Sequence, residues 1–193
     1  MKAFLARNGI YFAAAAAITL AVHVVTLFTL PHFVMAQALG KISQDGGYNA
    51  VRHIARADEH SRAVVRPSPD LLYSTCPFDL SKGPLRVQAT VPPGTYWSVS
   101  VFDANTNNIF VVNDRQAKDG KVDFVVLPPI SAISGGSATT FATPPNAIRS
   151  PSTKGLVLFR TLINDEARFA VIDAARRKVT CGIDHASSSW KTN

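Results

Sequence analysis

The stretch Leu85–Asp103, LRVQATVPPGTYWSVSVFD, gives the clearest indication of the fold of this chain. Its first seven residues alternate apolar and polar side chains, which is the period of a strand with one buried face. The proline-glycine cluster PPGT then predicts a turn. After the turn the alternation resumes and places Trp97, Val99 and Val101 on one face of a second strand. Two half-buried strands joined by a turn are therefore predicted here.

Further short apolar segments follow at intervals of about ten residues. They predict strands at Ile109–Val112, which we expect to be buried on both faces, and at Val122–Leu127 and Gly155–Ile163. The turn-rich segments DANTNN and NDRQAKDGK separate them. Residues 128–155 show no periodicity and predict a flap or an irregular excursion over the sheet. This spacing favours an antiparallel sandwich or barrel over βαβ units.

One helix is predicted near the C-terminal end of the domain. Asn164 or Asp165 caps it, Phe169 and Ile172 form its apolar stripe, and it runs to about Lys178. The fold class is mainly β with a minor helical part (α+β minor). It combines an N-terminal transmembrane helix, described next, with an antiparallel β-sandwich or barrel-like domain and one C-terminal helix.

The apolar segment Ile10–Leu30 contains no formally charged residue. At 1.5 Å per residue it reaches about 30 Å, the thickness of the hydrocarbon core of a bilayer. Lys2 and Arg7 precede the segment and Lys41 alone follows it closely, so the positive-inside rule places the N-terminus in the cytoplasm. We expect a membrane-spanning helix that Pro31 stops or kinks.

A cleaved signal peptide is the alternative to an anchor. Lys2 and Arg7 would form its basic region, and VMA before Gln37 resembles a cleavage site after Ala36. The apolar run exceeds the roughly 7–15 residues usual in a signal peptide, which favours the anchor. Both alternatives place the folded domain on the same side of the membrane.

The sequence divides into four parts on this interpretation. The length of 193 residues is that of one domain with an appendage. Residues 1–36 are the membrane anchor or signal peptide, residues 37–65 a polar connector, residues 66–185 the β-rich domain, and residues 186–193 a polar tail. Within the connector, residues 48–65 have a weakly helical pattern.

Two cysteines, Cys76 and Cys181, lie near the start and the end of the predicted domain. In an oxidising compartment such a pair can form one disulfide that joins the two ends of the domain. Closing a loop of about 100 residues stabilises a domain by roughly 4 kcal/mol or more in the chain-entropy model. Two buried free thiols are the alternative, because spacing does not show that the Cα atoms come within reach.

Charge and motif content exclude several functions. The net charge is +7, but the basic residues are scattered and no recognition motif accompanies them, so no nucleic-acid partner is expected. The densest basic run, Arg176–Lys178, is interpreted as a solvated helix end. The sequence contains no zinc spacing, nucleophile elbow, phosphate loop or dinucleotide fingerprint. We therefore assign no catalytic residue, no metal site and no cofactor.

Several short motifs resemble those of one bacterial family, catalogued as domain of unknown function 1254. They are PSPDLLYS at Pro67–Ser74, Asp79-Leu80-Ser81 followed by Pro84, YWSV at Tyr96–Val99, the Asn-rich turn Asp103–Asn108, RSP at Arg149–Pro151, and RTL at Arg160–Leu162. Ser68 and Leu71 depart from the Asn and Thr of the family pattern. The resemblance covers most of the chain after the apolar segment.

This resemblance implies a mostly β domain of the kind found in bacterial envelope proteins, with no established reaction. Some relatives carry a second β-rich domain that this chain is too short to hold, so a separately encoded envelope partner is expected. We expect a single-pass protein of the bacterial inner membrane, with a cytoplasmic N-terminus and a periplasmic domain. We expect it to contact the lipid bilayer through Ile10–Leu30.

The segment RPSPDLLYSTCPFDLSKGPLRV, residues 66–87, is interpreted as the structural corner that opens the β domain. Asp70 and Asp79 would accept backbone N–H bonds at turns, and Tyr73 would cover the core with its hydroxyl bonded at the edge. We therefore expect a non-catalytic envelope domain that binds a partner.

The alternative for the same segment is a ligand-binding site at one end of the sandwich, where loops often carry function. Five residues would converge there: Asp70, Tyr73, Asp103, Asp114 and Arg115. The protein would then be carbohydrate-active or would bind a small molecule, because glycosidic cleavage needs two carboxyl groups at a set separation.

Overall fold

The computed structural model describes residues 2–44, 46–62, 66–132 and 145–184. Most of the predicted excursion and the predicted tail lie outside these ranges. Within them the predicted fold class, a mainly β domain with an N-terminal and a C-terminal helix, is confirmed. The elements are α1 Lys2–Ser43, β1 Arg52–His53, β2 Leu71–Asp79, β3 Leu85–Thr90, β4 Trp97–Phe102, β5 Asn108–Asn113, β6 Lys121–Leu127, β7 Ala147–Arg149, β8 Lys154–Leu162, α2 Phe169–Arg176 and β9 Thr180–Ile183.

The strands form two sheets. The five-stranded sheet has the order β1-β2-β8-β4-β5 and is antiparallel. The four-stranded sheet has the order β7-β6-β3-β9, with β6 and β7 parallel. We name the ends of the five-stranded sheet from β2: at the Asp70 end Leu71 pairs with Leu162, and at the Asp79 end Asp79 pairs with Lys154.

The facing sides of the two sheets form the core. Strand β3 buries Leu85, Val87 and Ala89 and exposes the residues between them, as its alternation predicted. Strand β4 buries Trp97, whose ring centroid lies 6.4 Å from that of Phe159 on β8. Large side chains buried in this way contribute about 1.5–3 kcal/mol each. The two strands predicted from Leu85–Asp103 are thus confirmed.

Strand β5 lies at the edge of the five-stranded sheet. The prediction that Ile109–Val112 is buried on both faces is therefore wrong. Phe110 packs on Phe124 of β6, with ring centroids 4.9 Å apart, whereas Val111 on the opposite face is 51% exposed. A short apolar run does not reveal whether its strand has a neighbour on each side.

The segment predicted as a corner contains a nine-residue strand, β2, which pairs with β8 along its whole length. Pro77 lies inside this strand. Its carbonyl oxygen accepts the N–H of Asn49, on the side of β2 away from β8. The N–H and C=O of one strand residue point to the same side, so the missing N–H of Pro77 removes no bond to β8.

Helix α1 continues through Pro31 to Ser43, so the prediction that Pro31 stops the helix is wrong. The hydroxyl of Thr29 donates to the carbonyl oxygen of Val25 at 2.8 Å, and Nδ1 of His32 donates to that of Phe28 at 3.0 Å. These side-chain bonds reach carbonyl groups on either side of Leu27, whose own carbonyl lacks the N–H donor that Pro31 cannot supply. The helix contains a segment long and apolar enough to cross a membrane, a criterion that a signal sequence also meets.

The last three turns of α1 pack on the outer face of the five-stranded sheet, against β2 and β8. Met35 and Leu39, one turn apart, are 6% and 4% exposed. Pro31, Ala38 and Ile42 on the same side of the helix are partly buried. The end of α1 is therefore part of the folded domain.

Residues 37–65, the predicted connector, contain the end of α1 and the short strand β1. Arg52 and His53 of β1 pair with Thr75 and Ser74 of β2. The weakly helical pattern assigned to residues 48–65 is therefore wrong for residues 48–62, and residues 63–65 lie outside the described ranges. A two-residue strand is too short to have a periodicity, so only its pairing with β2 reveals it.

A 3₁₀ turn, Glu166–Arg168, connects β8 to α2. The carboxylate of Asp165 accepts the N–H of Ala167 at 2.9 Å, which confirms the predicted cap. Helix α2 then leads to β9 in the other sheet. The predicted disulfide is also confirmed: Cys76 of β2 is bonded to Cys181 of β9, with Cα atoms 6.5 Å apart.

Candidate functional site

Arg176, on the last turn of α2, is only 2% exposed. Its Nη1 donates to the carbonyl oxygen of Tyr73 at 2.6 Å and to that of Ile54 at 3.0 Å. The N–H of Ile54 bonds to the same Tyr73 carbonyl, at the point where β1 ends beside β2. A guanidinium can serve several acceptors at once because it has five N–H donors in a fixed fork. Arg176 thus attaches α2 to the edge of the five-stranded sheet.

The carboxylate of Asp173 is the counter-ion of Arg176. It accepts Nε of Arg176 at 2.9 Å, a second bond from Nη2, and Nε of Arg177 at 2.7 Å. Burial alone would raise the pKa of Asp173, but the hydrogen bonds from Arg177 and Arg176 outweigh it and hold that pKa below its ordinary value. Asp173 is therefore ionised at neutral pH, and the buried guanidinium is paired.

His53 and Ser74 lie beside this ion pair. They are register partners on β1 and β2, so their side chains share the inner face of the sheet, and Nδ1 of His53 lies 2.9 Å from Oγ of Ser74. Burial, and then the charges of Arg176 and Arg177, lower the pKa of His53. The imidazole is therefore neutral at pH 7. We call these five residues the arginine cluster: His53, Ser74, Asp173, Arg176 and Arg177.

A serine beside a histidine is the arrangement of an activated nucleophile. Here Ser74 has no exposed surface, and its Oγ also lies 3.5 Å from Nη1 of Arg176. The hydroxyl is thus enclosed by the protein. The contacts of the arginine cluster connect α2, β1 and β2. The cluster therefore has a structural role, because it holds these three elements together. Among the described residues, no three His, Cys, Asp or Glu side chains are placed to hold a metal ion.

The run of basic residues Arg176–Lys178 indicated a solvated helix end, and for Arg176 that interpretation is wrong. Ile172, one turn earlier, is 1% exposed. Residues four apart lie on the same face of a helix, so the predicted apolar stripe already placed Arg176 on the buried side. The position of Arg176 four residues after Ile172 was the sequence feature that predicts its burial. The high density of basic residues favoured a solvated helix end instead.

Three of the five predicted site residues, Asp70, Asp114 and Arg115, lie at the Asp70 end. The carbonyl oxygen of Asp70 accepts the N–H of Ile163, and Asp114 donates its N–H to Trp97. Asp70 precedes β2 and Asp114 follows β5, with β8 and β4 between these strands. Three strand spacings separate the two backbones by about 14 Å.

Tyr73, the fourth of these residues, lies within β2 close to the Asp70 end. Its hydroxyl accepts the N–H of Ser68 at 3.1 Å, which is the edge bond expected of a structural tyrosine. At the other end of the strand Asp79 accepts the N–H of Ser81 at 3.0 Å, as expected of a turn residue.

Asp103, the fifth of these residues, lies at the opposite end of the sheet. It follows β4, which begins near Asp114 and ends where Phe102 pairs with Leu156. Six strand residues separate Asp103 from Asp114 by roughly 20 Å. Its buried carboxylate accepts the N–H groups of Asn105 and Asn107 and so caps its own turn. The expected convergence is therefore wrong for Asp103, and a ligand-binding role of the other four stays a prediction.

A row of polar side chains lies on the outer face of the five-stranded sheet and was not predicted from the sequence. Tyr73, Arg160, Ser98 and Asn113 are consecutive register partners across β2, β8, β4 and β5. Nη2 of Arg160 donates to Oγ of Ser100 at 3.1 Å. The buried hydroxyl of Ser98 and Nε of Arg160 have no hydrogen-bond partner in the described part of the chain. Strand alternation predicts the face of these residues but not that Ser98 is buried there.

The fold and these sites define a small two-sheet β domain that follows a long apolar helix. The chain belongs to the family described as Protein of unknown function (DUF1254), whose model matches residues 48–182. The match covers nearly all of the two sheets and confirms the resemblance first seen in PSPDLLYS and the motifs after it. No curated protein matches the chain.

Two solved structures are similar to this chain. The VPA0106 protein from Vibrio parahaemolyticus is 11% identical, with a TM-score of 0.54 over 84% of this chain and 39% of that one. An uncharacterised protein from Burkholderia cenocepacia is 14% identical, with a TM-score of 0.41 over 76% of this chain and 38% of that one. The likeness to the Vibrio protein shows the fold. The chain spans about two fifths of the length of either structure.

Proposed function

We propose that this chain is a single-pass protein of the bacterial inner membrane whose periplasmic β domain binds a separately encoded envelope protein and catalyses no reaction. The main observation in support of this proposal is the course of α1. Its first part is apolar and fully exposed, whereas its last turns pack on the five-stranded sheet. One continuous helix thus serves as a bilayer span and as a piece of the domain.

The packing of α1 supports an uncleaved anchor over a signal peptide. The sequence resembles a cleavage site after Ala36, but Ala36 lies inside the helix, next to Met35. Met35 is buried against the domain, so cleavage there would remove one of the two buried side chains, Met35 and Leu39, through which α1 packs on the sheet. The surface that Met35 covers would then be exposed to water, at a cost of about 25 cal/mol per Å².

The disulfide supports a periplasmic domain. Cys76 and Cys181 are the only cysteines of the chain, and both belong to the bond between β2 and β9. Disulfides persist in the bacterial periplasm and are rare in the cytosol. The charges before the apolar segment, Lys2 and Arg7, favour the same topology.

The positions of the acidic residues support a binding role over catalysis. Asp70 and Asp114 lie about three strands apart at one end, and Asp103 caps its own turn at the other. The backbones of Asp70 and Asp114 are about 14 Å apart and Asp103 lies farther away, whereas glycoside hydrolysis uses carboxyl groups about 5–9.5 Å apart. Ser74, beside His53, is enclosed by the protein.

The edge strand β5 supports a protein partner. It carries no charged residue and lies at the edge of the sheet among the described strands. Val111 exposes about half of its surface on the outer face. Uncharged edge strands are the places where a second chain adds a strand.

Two measurements in cells test the topology. Alkaline phosphatase fused to the C-terminus should be active, and a green fluorescent protein fused there should remain dark. The chain should also stay in the membrane pellet after carbonate extraction. A fluorescent fusion, or release of the chain by carbonate, would contradict the proposal.

Co-purification from detergent-solubilised membranes tests the partner. We expect Val111→Asp to lose a protein that co-purifies with the wild type, because it places a charge on the strand edge. Val171→Asp is the matched control, since Val171 is exposed on α2, away from β5. Equal recovery with both variants, or no co-purifying protein with the wild type, would contradict partner binding through β5.

A further inference from the structure

The way α1 meets the domain also determines how the domain sits on the membrane, an inference that rests on the anchoring proposed above. The partly or fully buried stripe begins at Pro31, directly after the apolar segment Ile10–Leu30, and continues through Met35 and Leu39. No flexible linker separates the span from the packed part. A domain held in this way has one orientation towards the bilayer.

The C-terminal end of α1 lies near the Asp79 end of the sheet. Gly47 donates its N–H to the carbonyl of Ser43, the last residue of the helix. Two residues later Asn49 bonds to β2, with its N–H on the carbonyl of Pro77 and its side chain on the backbone of Asp79. Only a short turn thus connects the helix end to the end of β2.

Lengths then place the start of the packed segment near the Asp70 end. From Pro31 to Ser43 the helix rises about 18 Å. Strand β2, from Leu71 to Asp79, extends about 26 Å. The main contacts of this part of α1 are with β2 and its neighbour β8. A helix about 18 Å long that lay across the strands would reach about four of them, so this helix runs along the two strands. Starting near Asp79 and running back along them, it reaches the region of Tyr73 at Pro31.

The side chains at this position suit a bilayer boundary. Phe33 and Val34 are exposed apolar residues on the turn that also carries the buried Met35. At the Asp70 end Tyr96 is 42% exposed, and tyrosine is enriched where a protein meets lipid headgroups. The exposed Arg115 at the same end can pair with phosphate groups.

We infer that the Asp70 end of the five-stranded sheet rests on the periplasmic headgroup layer, and that the Asp79 end points away from the membrane. The partner of this surface is the lipid bilayer. The membrane surface then contacts Asp70, Tyr96 and Arg115, and the boundary of the hydrocarbon core lies at Phe33 and Val34.

Fluorescence quenching in vesicles tests this orientation. Both native cysteines are in the disulfide, so one introduced cysteine is the only thiol that a fluorophore can label. Asp70→Cys and Ser81→Cys form a matched pair, because both are exposed and they flank β2. Ile18→Cys, within the apolar segment, reports insertion itself. The full-length chain is reconstituted in vesicles of phosphatidylcholine and phosphatidylglycerol, with nitroxide groups on lipid headgroups or on acyl chains.

Headgroup nitroxides should quench the label at Asp70→Cys at least twice as strongly as the label at Ser81→Cys, and acyl-chain nitroxides should quench the label at Ile18→Cys. Equal quenching at Asp70→Cys and Ser81→Cys, or stronger quenching at Ser81→Cys, overturns the orientation while the anchor stands. An unquenched label at Ile18→Cys overturns the anchor and the orientation with it.

A flexible insertion provides the second test. A short Gly-Ser segment between Leu30 and Pro31 leaves the span and the packed stripe intact but removes their rigid connection. We expect the difference between Asp70→Cys and Ser81→Cys to fall at least twofold. An unchanged difference would overturn the role of the continuous helix in orienting the domain.

Discussion

Nη1 of Arg176 lies 2.6 Å from the carbonyl oxygen of Tyr73, and this bond joins the last turn of α2 to the second strand of the five-stranded sheet. The same guanidinium is paired with Asp173 three residues earlier. Arg176 is therefore both a hydrogen-bond donor to the edge of the sheet and half of a buried ion pair. Its removal affects both contacts at once.

We expect Arg176→Met to lower the free energy of unfolding by about 2–4 kcal/mol, because the carbonyl of Ile54 loses its buried donor and Asp173 and the Tyr73 carbonyl each lose one of their donors. Urea unfolding of the full-length chain in detergent measures the change. Arg177→Met is the matched control. Its side chain is 58% exposed, so the loss should stay below about 1 kcal/mol. Equal losses of stability in the two variants would contradict this structural role of Arg176.

The lowered pKa of His53 makes the stability of the domain depend on pH. The ordinary value is 6.5, and burial together with Arg176 and Arg177 lowers it in the folded protein. As the pH falls below 6.5 the unfolded chain takes up the proton first, so stability declines towards the folded pKa. Between about pH 7 and about pH 5 the urea midpoint should fall in the wild type and less in His53→Gln. The same slope in both proteins would contradict this role of His53.

The disulfide should account for a large share of the stability. It closes a loop with a sequence separation of 105. In the chain-entropy model the double variant Cys76→Ala with Cys181→Ala loses about 4–5 kcal/mol, less any strain that the bond imposes. Urea unfolding with and without a reductant measures the loss in the wild type. A urea midpoint that the reductant leaves unchanged, with both thiols shown to be free, would contradict the prediction.

Gly155 of β8 leaves no room for a side chain. A Cβ at this position would overlap the carbonyl oxygen of Phe102 and the ring of Phe78. Gly155→Ala should therefore destabilise the domain by about 3 kcal/mol or more. Gly40→Ala is the control, because nothing lies within 4 Å of its Cβ position and alanine favours a helix by about 0.5–1 kcal/mol. A Gly155→Ala protein as stable as the wild type would show that Phe102 and Phe78 move at little cost to make room for the methyl group.

Strand alternation made the core predictable from the sequence. Leu85, Val87 and Trp97 occupy the predicted faces because a side chain on a strand has only two directions. The cap at Asp165 and the disulfide partners followed from local chemistry and from the count of cysteines. These features depend on neighbours in sequence or on residues with no alternative partner.

The remaining features depend on pairing between distant segments. β1 is visible only through its register with Ser74, and β5 is exposed only because no described strand lies beyond it. Likewise, α1 passes Pro31 with extra donors and packs on the sheet through Met35. The position of Asp103 was missed because an antiparallel strand separates it from Asp114 by the full length of β4. Proximity in sequence gave no indication of this distance.

Anchoring of the domain requires that the last turns of α1 remain attached to the membrane span, and the intact mass of the mature protein shows whether they do. The chain is expressed with its native N-terminus, extracted from the inner membrane and weighed by mass spectrometry. We predict a protein that retains residues 1–36, apart from removal of the initiator methionine. A mature chain that begins at Gln37 would show cleavage after Ala36 and would contradict the anchored domain.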